Sequence, residues 1–395
     1  NGTTIYDWEN DTPSIGLVAT GSGNISSFEA LNDTNDPVVA TIVVTPSYDD
    51  PLLPCTGDSI TFTITVNPVP QINNVTETIC NGDSFSTVDP STITGNVVPT
   101  GTTYSWEITS SNDITGGSSG SGTTIPGSVL QNASNSPQNL VYTVTPTTTT
   151  GNESCVGADF TVTITVNPTA QVDQPDNYEY CNGDTATVDF TTSNGGVDSV
   201  TTYTWTVSGD NIGLDSSIDG DISQQVTNET TDTLTATVVV TPTYINDGEE
   251  CTGPTETFTI TVNPTAQVND IDPIVECNGS FVDEVVFSTA NTNGTTLYNW
   301  ENSNTSIGLA ATGTGNISSF QAINTTNDPV VATITVTPSY DVTDPLLACE
   351  GEEITFTITV NPNSEMNPVS DIVICNGDTV DEVVFSAQNT VGTTS

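Results

Sequence analysis

One eight-residue segment dominates this sequence: TFTITVNP stands at 61–68, 257–264 and 355–362, and TVTITVNP at 161–168. Polar and apolar residues alternate in it, which is the period of a β-strand with one buried face. Its β-branched residues suit a pleated surface, and the closing Asn-Pro ends the strand because proline has no backbone N–H. The same strand segment and the same closing Asn-Pro occur four times, which predicts a tandem array of repeats.

Two sets of markers give the same repeat length. The closing prolines and the tryptophans recur independently at intervals of 95 to 100 residues, which suits one small β-sandwich per repeat. We therefore predict an all-β fold, a tandem array of small β-sandwiches of about 98 residues set end to end. The predicted domains are a partial repeat 1–68 that lacks strands A and B, complete repeats 69–168, 169–264 and 265–362, and a partial repeat 363–395 that supplies strands A and B only.

The third repeat serves as the reference for strand positions. Hydrophobic alternation and Gly, Asn and Asp turns predict strand A within 171–180, strand B at 185–191, strand C at 202–207, weak strands over 211–226, strand F at 234–242, an irregular loop 245–254 and strand G at 257–262.

A Tyr-x-Trp pair recurs in every strand C. Aromatic side chains spaced in this way favour either a tryptophan buried between the two sheets or an exposed platform that stacks on carbohydrate, and we expect the buried core. The four tryptophans are Trp8, Trp106, Trp205 and Trp300.

Composition excludes whole classes of function. The 395 residues include 49 acids but no Lys, Arg or His, for a net charge of -49. No side chain can neutralise phosphate, which excludes nucleic-acid binding and attraction to anionic membranes. No triad base or cationic oxyanion clamp exists, so we expect no enzyme. The repulsion within such a chain indicates a saline or divalent-rich medium. No apolar run approaches the length of a transmembrane helix, so we expect no direct membrane insertion.

Each repeat carries one cysteine after strand A and one before strand G, which predicts disulfides in an extracellular, oxidising setting. The first interpretation joins consecutive repeats, because about ten strand residues separate the two cysteines of one sandwich whereas a disulfide needs Cα atoms within about 7 Å. Pairing within each repeat, sequence-local pairs and free thiols remain alternatives. The inter-repeat pairs are Cys80–Cys251 and Cys181–Cys349, and the intra-repeat pairs are Cys80–Cys155, Cys181–Cys251 and Cys277–Cys349.

Acids cluster before strand G and at the A–B turn. If repeats are stacked, these groups face each other, and a hard cation with oxygen ligands is a natural counter-ion in a chain without basic residues. Ca²⁺ is therefore a candidate cofactor, with a solvated acidic surface as the alternative. The candidate ligands are Asp247, Glu249, Glu250, Glu350, Glu352, Glu353, Asp83, Asp184 and Asp378.

The two termini stand at the same phase of the repeat. Residues 1–4 match 293–296, and the sequence stops at the corresponding point, 392–395. The first and fourth repeats are also nearly identical, for example at 14–17 and 307–310. We expect a four-repeat length of a much longer polypeptide, with a donor-strand fibre subunit as the alternative.

The order C-N-G-D, Y-x-W, V-T-P, C-x-G and T-F-T-I-T-V-N-P resembles the PKD-like and Ig-like tandem repeats of giant secreted surface proteins of gliding Bacteroidota. The resemblance covers every repeat and implies type IX secretion, cell-surface attachment through a distant region, and adhesion or motility. A filament of a predatory grappling apparatus is a more specific version of it.

These observations favour a structural segment of an extracellular cell-surface filament or stalk of a repeat adhesin, for attachment to cells or surfaces. The expected partners are other copies of the same chain in a filament or bundle. The alternatives are a calcium-dependent module that binds cell-surface glycans, and a fibre subunit assembled by donor strands.

Overall fold

The computed structural model describes residues 2–50, 53, 55–151, 153–197, 199–215, 218–340 and 349–389. The sequence matches at Asn1 and at 392–395 therefore lie outside the described residues. The predicted all-β class is confirmed, since the described residues form strands and no α-helix. Three short 3-10 turns lie at Pro13–Ile15, Pro90–Thr92 and Thr305–Ile307.

The strands follow one plan in each repeat. The first repeat contains β1 (Thr3–Asn10), β2 (Thr20–Ser22), β3 (Val38–Asp49), β4 (Cys55–Thr56) and β5 (Ile60–Val66). The second contains β6 (Val75–Cys80), β7 (Thr102–Ser111), β8 (Ile114–Thr115), β9 (Gly120–Gly122), β10 (Gln131–Asn132), β11 (Gln138–Thr150), β12 (Glu153–Val156) and β13 (Phe160–Asn167). The third contains β14 (Tyr178–Cys181), β15 (Thr185–Val188), β16 (Val200–Gly209), β17 (Ile218–Asp219), β18 (Ile222–Gln225), β19 (Leu234–Asn246), β20 (Glu249–Thr252) and β21 (Glu256–Asn263). The fourth contains β22 (Ile274–Cys277), β23 (Phe281–Val282), β24 (Thr296–Asn302), β25 (Thr312–Thr314), β26 (Phe320–Gln321), β27 (Val330–Tyr340), β28 (Cys349–Glu350) and β29 (Ile354–Asn361).

The main sheet has the same topology in the second, third and fourth repeats. Its orders are β6-β13-β11-β7-β9, β14-β21-β19-β16-β17 and β22-β29-β27-β24-β25, with β12, β20 and β28 paired to β11, β19 and β27. The first strand of each order runs parallel to its neighbour. The next pairs, β13 with β11, β21 with β19 and β29 with β27, are antiparallel. Smaller pairs such as β15-β18 and β23-β26 form the opposing layer, so the core lies between two layers.

All four tryptophans are buried, with 1 to 7% of each side chain exposed. In the third repeat the indole Nε1 of Trp205 donates a hydrogen bond of 3.0 Å to the carbonyl of Gly220. Buried indole faces cannot stack on a sugar, so the carbohydrate platform is wrong and the core interpretation agrees with the structure.

A glycine in the neighbouring short strand makes room for the indole, and sequence reasoning missed it. A Cβ built on Gly313 would lie 2.1 Å from Cζ2 of Trp300, and one on Gly21 would lie at the same distance from Trp8. Any larger residue at these positions would displace the core tryptophan.

Two predictions of local structure are wrong. Residues 245–254 are not an irregular loop, because β19 continues to Asn246 and pairs with β20 as a hairpin. The turn residues Asp247 and Gly248 both have positive φ, 52° and 80°, as the tight Asp-Gly hairpin turn requires.

The second wrong prediction concerns the segment 363–389, which does not form the predicted strands A and B. It contains only a bridge between Met366 and Ala387, because no strand of the described residues lies beside it as β29 lies beside β22.

The chain divides into two compact units by the packing of its backbone. The first comprises Asn1–Val172, Thr192–Thr202 and Pro242–Pro254, and the second comprises Asp173–Thr191, Tyr203–Thr241 and Thr255–Ser395. The loop 192–202 and the hairpin 242–254 of the third repeat thus belong to the same unit as the second repeat.

Tyr104 gives a pH-dependence prediction for the second repeat. Its hydroxyl is buried and has no hydrogen-bond partner among the described residues, and burial, with a smaller contribution from the charge of Asp89, raises the pKa of Tyr104 to about 12. Because the unfolded-state pKa is about 10, the neutral phenol stabilises the fold below about pH 10, and this stability is lost as the pH rises through about 12. The free energy of unfolding should fall between pH 7 and pH 11, which we call the alkaline loss. Tyr104→Phe should reduce the alkaline loss by about 1.4 kcal/mol.

Urea unfolding at pH 7 and pH 11 measures this effect. The half-exposed Tyr6, replaced by phenylalanine, is the matched control and should leave the alkaline loss unchanged. The same loss in the wild type and in Tyr104→Phe would contradict the assignment.

Candidate functional site

The two cysteines of one repeat lie at opposite ends of its main sheet. Cys80 ends β6 and pairs in parallel register with Asn167 at the end of β13, so it lies at the trailing end, where the chain leaves the repeat. Cys155 lies in β12, before β13 begins at Phe160, and so marks the leading end. Eight strand residues, about 26 Å, separate the two ends.

The disulfides join consecutive repeats. Cys80 is bonded to Cys251 with a Cα–Cα distance of 5.5 Å, and Cys181 to Cys349 with 5.3 Å. Each bond links the trailing end of one repeat to the leading end of the next, as the inter-repeat interpretation has it. The intra-repeat pairs Cys80–Cys155, Cys181–Cys251 and Cys277–Cys349 do not form, because each would have to span the length of a sheet.

Four cysteines carry no disulfide within the chain: Cys55, Cys155, Cys277 and Cys375. Cys55, Cys277 and Cys375 are exposed, and Cys155 is partly exposed.

A buried tyrosine packs against the first disulfide, within the first unit. Tyr244 is 1% exposed and packs with Ala170 and Cys251, beside Cys80. Its hydroxyl donates a hydrogen bond of 2.8 Å to the carbonyl of Gly195. The strand extension that the sequence failed to predict is what brings this tyrosine to the junction.

The glycine of the C-x-G motif permits the close approach of the linker between repeats. A Cβ on Gly253 would lie 1.9 Å from the carbonyl oxygen of Ala170, and one on Gly351 would lie 1.8 Å from that of Ala266. Both linker alanines are buried. A side chain at either glycine would therefore push the linker away.

Polar contacts complete the first junction. Asn246 Nδ2 donates to Oδ1 of Asn167 at 2.8 Å, and the hydroxyl of Thr78 donates to Asp247 Oδ2 at 3.1 Å. In a chain without basic residues, such neutral or singly charged hydrogen bonds replace the ion pairs of other interfaces.

The second junction repeats this arrangement within the second unit. Tyr340 is 4% exposed and packs with Ala266 and Cys349, beside Cys181. Its hydroxyl donates to the carbonyl of Asn293 and lies 3.1 Å from the hydroxyl of Thr233. Two junctions with one design indicate that the contact is a property of the repeat.

The structure does not gather the predicted calcium ligands into a cluster. Among the described residues, no group of three or more Asp, Glu or Cys side chains could hold a metal ion. Asp184 and Glu350 line a cavity of about 260 Å³ beside Cys181–Cys349, whereas Asp83, Glu250, Glu352 and Asp378 are exposed. Asp247 accepts from Thr78, Glu249 lies 3.9 Å from the sulfur of Cys80, and Glu353 accepts from Thr337. Calcium binding stays a prediction, which titration calorimetry with CaCl₂ checks.

An asparagine ties the loop before strand F to strand G in each repeat, and it is buried in the second, third and fourth repeats. The sequence pattern did not predict this role. In the third repeat, Asn228 Nδ2 donates to the carbonyls of Asp232 and Val262 at 2.7 and 2.8 Å. Its Oδ1 accepts from the backbone and hydroxyl of Thr230. The equivalents are Asn32, Asn132 and Asn324.

Asn228→Ala should lower the free energy of unfolding by about 3 kcal/mol, because it leaves buried carbonyl oxygens without a donor. Urea unfolding measures the loss, and Glu229→Ala, on the exposed neighbouring residue, is the control. Equal stability of the two variants would show that the buried amide contributes nothing.

Comparison with known proteins finds one family model and several solved structures. A family model described as a PKD-like domain matches residues 77–170, and no curated protein matches the chain. The human desmocollin-1 ectodomain is similar over 95% of this chain and 78% of its own, with 9% identity and a TM-score of 0.28. Drosophila N-cadherin EC1-4 is similar over 91% and 92%, with 11% identity and a TM-score of 0.30. Mouse cadherin-23 EC22-24 is similar over 75% and 100%, with 14% identity and a TM-score of 0.29.

The PKD-like match and the β-sheets described above agree. The chain is a protein of tandem Ig-like repeats. The part of the chain that the structure describes contains no helix with the length and hydropathy to cross a membrane.

Proposed function

We propose that this chain is a structural, load-bearing segment of an extracellular filament or stalk of a giant repeat adhesin, which attaches a cell to other cells or surfaces. One observation carries the proposal: disulfides join the second repeat to the third and the third repeat to the fourth. Disulfides persist in oxidising, extracellular surroundings. A bond across a junction prevents neighbouring sandwiches from separating under tension.

The two disulfides also overlap along the chain. Cys181 lies inside the loop that Cys80–Cys251 closes, and Cys251 lies inside the loop that Cys181–Cys349 closes. Force applied along the chain therefore passes through both bridges and bypasses most of the backbone. This interlocking pattern supports a mechanical role, and we propose no catalytic one.

The wider attribution rests on resemblance. The repeat motifs support a place among the giant surface proteins that gliding Bacteroidota export by type IX secretion, and the PKD-like match at 77–170 supports the repeat type. We propose other copies of the chain as its partners in the filament.

Immunogold electron microscopy of intact cells that make the protein tests this function. Antibodies against the third repeat should label extracellular filaments or stalks at regular intervals along their length. Label confined to the cell interior, or to compact particles, would overturn the proposal.

A further inference from the structure

A pocket of about 350 Å³ lies within the second repeat, and every residue that lines it belongs to that complete repeat. Its volume is in the range of sites that hold small ligands. The lining is rich in hydroxyl groups, four of them from threonines, and contains one carboxylate. Its other members include Asp89, Ser91, Val98, Pro99, Gly101 and Tyr104.

A proline opens this pocket where other repeats have a phenylalanine. In the fourth repeat Phe287 packs on Tyr298 with ring centroids 5.3 Å apart, and the equivalent rings of the third repeat lie 5.5 Å apart. The second repeat has Pro90 at this position, at the start of a 3-10 turn. Proline has no aromatic ring to pack on Tyr104, so the space beside this tyrosine remains open.

The hydroxyl of Tyr104 has no partner in the fold. Tyr104 is 2% exposed, and its hydroxyl forms no hydrogen bond with any described residue. In the fourth repeat Thr289 forms a hydrogen bond with the hydroxyl of Tyr298. The equivalent of Thr289 is Thr92, which instead donates to the carbonyl of Asp89 at 2.8 Å. A buried polar group without a partner destabilises the fold, so this one points to a ligand that supplies the partner.

Asp89 is held in place beside this hydroxyl. Its Oδ1 accepts from the backbone N and the hydroxyl of Ser91 at 3.0 and 2.6 Å, whereas its Oδ2 accepts from no described residue. Burial and, to a smaller extent, the charge of Asp89 raise the pKa of Tyr104 to about 12, so the carboxylate lies near the hydroxyl. The pocket therefore offers a fixed acceptor next to a free donor.

This pair of groups matches a neutral sugar. The chain has no Lys, Arg or His, so nothing attracts an anion and Asp89 repels one. An ammonium group only donates, which would leave the hydroxyl proton of Tyr104 without an acceptor. A sugar hydroxyl both donates and accepts, as other hydroxyls do. Val98 and Pro99 add apolar surface for the C–H groups of the ring.

The pocket stays accessible in an array of repeats. Asp189 and Thr191 stand at the positions of Asp89 and Ser91 in the third repeat, which follows a complete repeat, and both are exposed. A Cβ on Gly101 would meet no other atom within 4 Å, so the mouth of the pocket is open. A neighbouring repeat therefore does not cover this face.

We propose that this pocket binds one neutral hexose unit of a glycan, whose hydroxyl groups donate to Oδ2 of Asp89 and accept from the hydroxyl of Tyr104. The inference goes beyond the proposed function, because a load-bearing segment needs no such pocket. It uses neither an exposed aromatic platform nor a calcium ion, and the tryptophans remain core residues.

NMR titration of the whole chain tests this binding. The probes are the methyl α-pyranosides of glucose, galactose and mannose, in saline buffer with EDTA to remove calcium. A ligand with about a dozen non-hydrogen atoms should bind with a Kd on the order of 1 mM. At least one sugar should shift the amide signals of residues 89–104 and 123–124 in a saturable manner.

Substitutions in the pocket locate the site. Tyr104→Phe removes only the unpartnered hydroxyl and should weaken binding about fivefold. Asp89→Asn removes the charged acceptor and should weaken binding at least about tenfold, while asparagine still caps the turn. Neither variant should impair folding. Tyr298→Phe, at the covered tyrosine of the fourth repeat, is the matched control and should change binding less than about twofold.

The absence of a saturable shift with all three sugars would overturn the proposal, as would binding that Tyr104→Phe leaves unchanged. Shifts at the same residues with methylammonium chloride and with none of the sugars would also overturn it, because they would show a cation site. These failures are distinct from failure of the proposed function, since immunogold labelling of filaments does not depend on the pocket.

Discussion

Replacing Cys80 and Cys251 together by serine is expected to lower the free energy of unfolding of the second and third repeats by about 5 kcal/mol. The bond closes a loop of 171 residues, and a cross-link between residues so far apart removes much conformational freedom from the unfolded chain. Cys251 is also 3% exposed, so the substitution disturbs the packing around Tyr244.

Urea unfolding at fixed salt concentration, followed by the fluorescence of the buried tryptophans, measures this loss. The matched control replaces the free cysteines Cys55 and Cys155 by serine, and we expect it to change stability by less than about 0.5 kcal/mol. If the variant that lacks Cys80 and Cys251 unfolds at the same urea concentration as this control, the bond across the junction does not stabilise the repeats.

Much of the fold could be predicted because the information is local and repeated. Strand G, the buried tryptophans and the leading and trailing positions of the cysteines all follow from alternation and spacing read four times over. The inter-repeat disulfides needed only one further step, that a sheet holds its two ends apart by more than a disulfide can span.

The junction details were less accessible, for two physical reasons. The hairpin at Asp247 and Gly248 has a local signal, the Asp-Gly turn, which the acidic character of the segment obscured. The roles of Gly253, Gly313 and Asn228 have no local signal. Each depends on an atom far away in sequence, such as the carbonyl of Ala170, the ring of Trp300 or the carbonyl of Val262.

The second large effect is mechanical and follows from the interlocked disulfides. The backbone from Cys80 to Cys349 spans 269 residues, but the shortest covalent path through both bridges contains only the 70 residues between Cys181 and Cys251. At about 3.4 Å per residue, the fully extended path is about 240 Å with both bonds and about 920 Å without them. Reduction should therefore lengthen this part of the chain almost fourfold once force has unfolded and fully extended it.

The central claim is that covalent bonds between neighbouring repeats bear load. Single-molecule force spectroscopy tests it most directly, with the chain held by its two ends before and after reduction. We predict that the oxidised chain extends about 680 Å less than the reduced chain, and that the Cys55 and Cys155 double serine variant shows the same difference. An oxidised chain that extends to the full length of the reduced one would contradict the account.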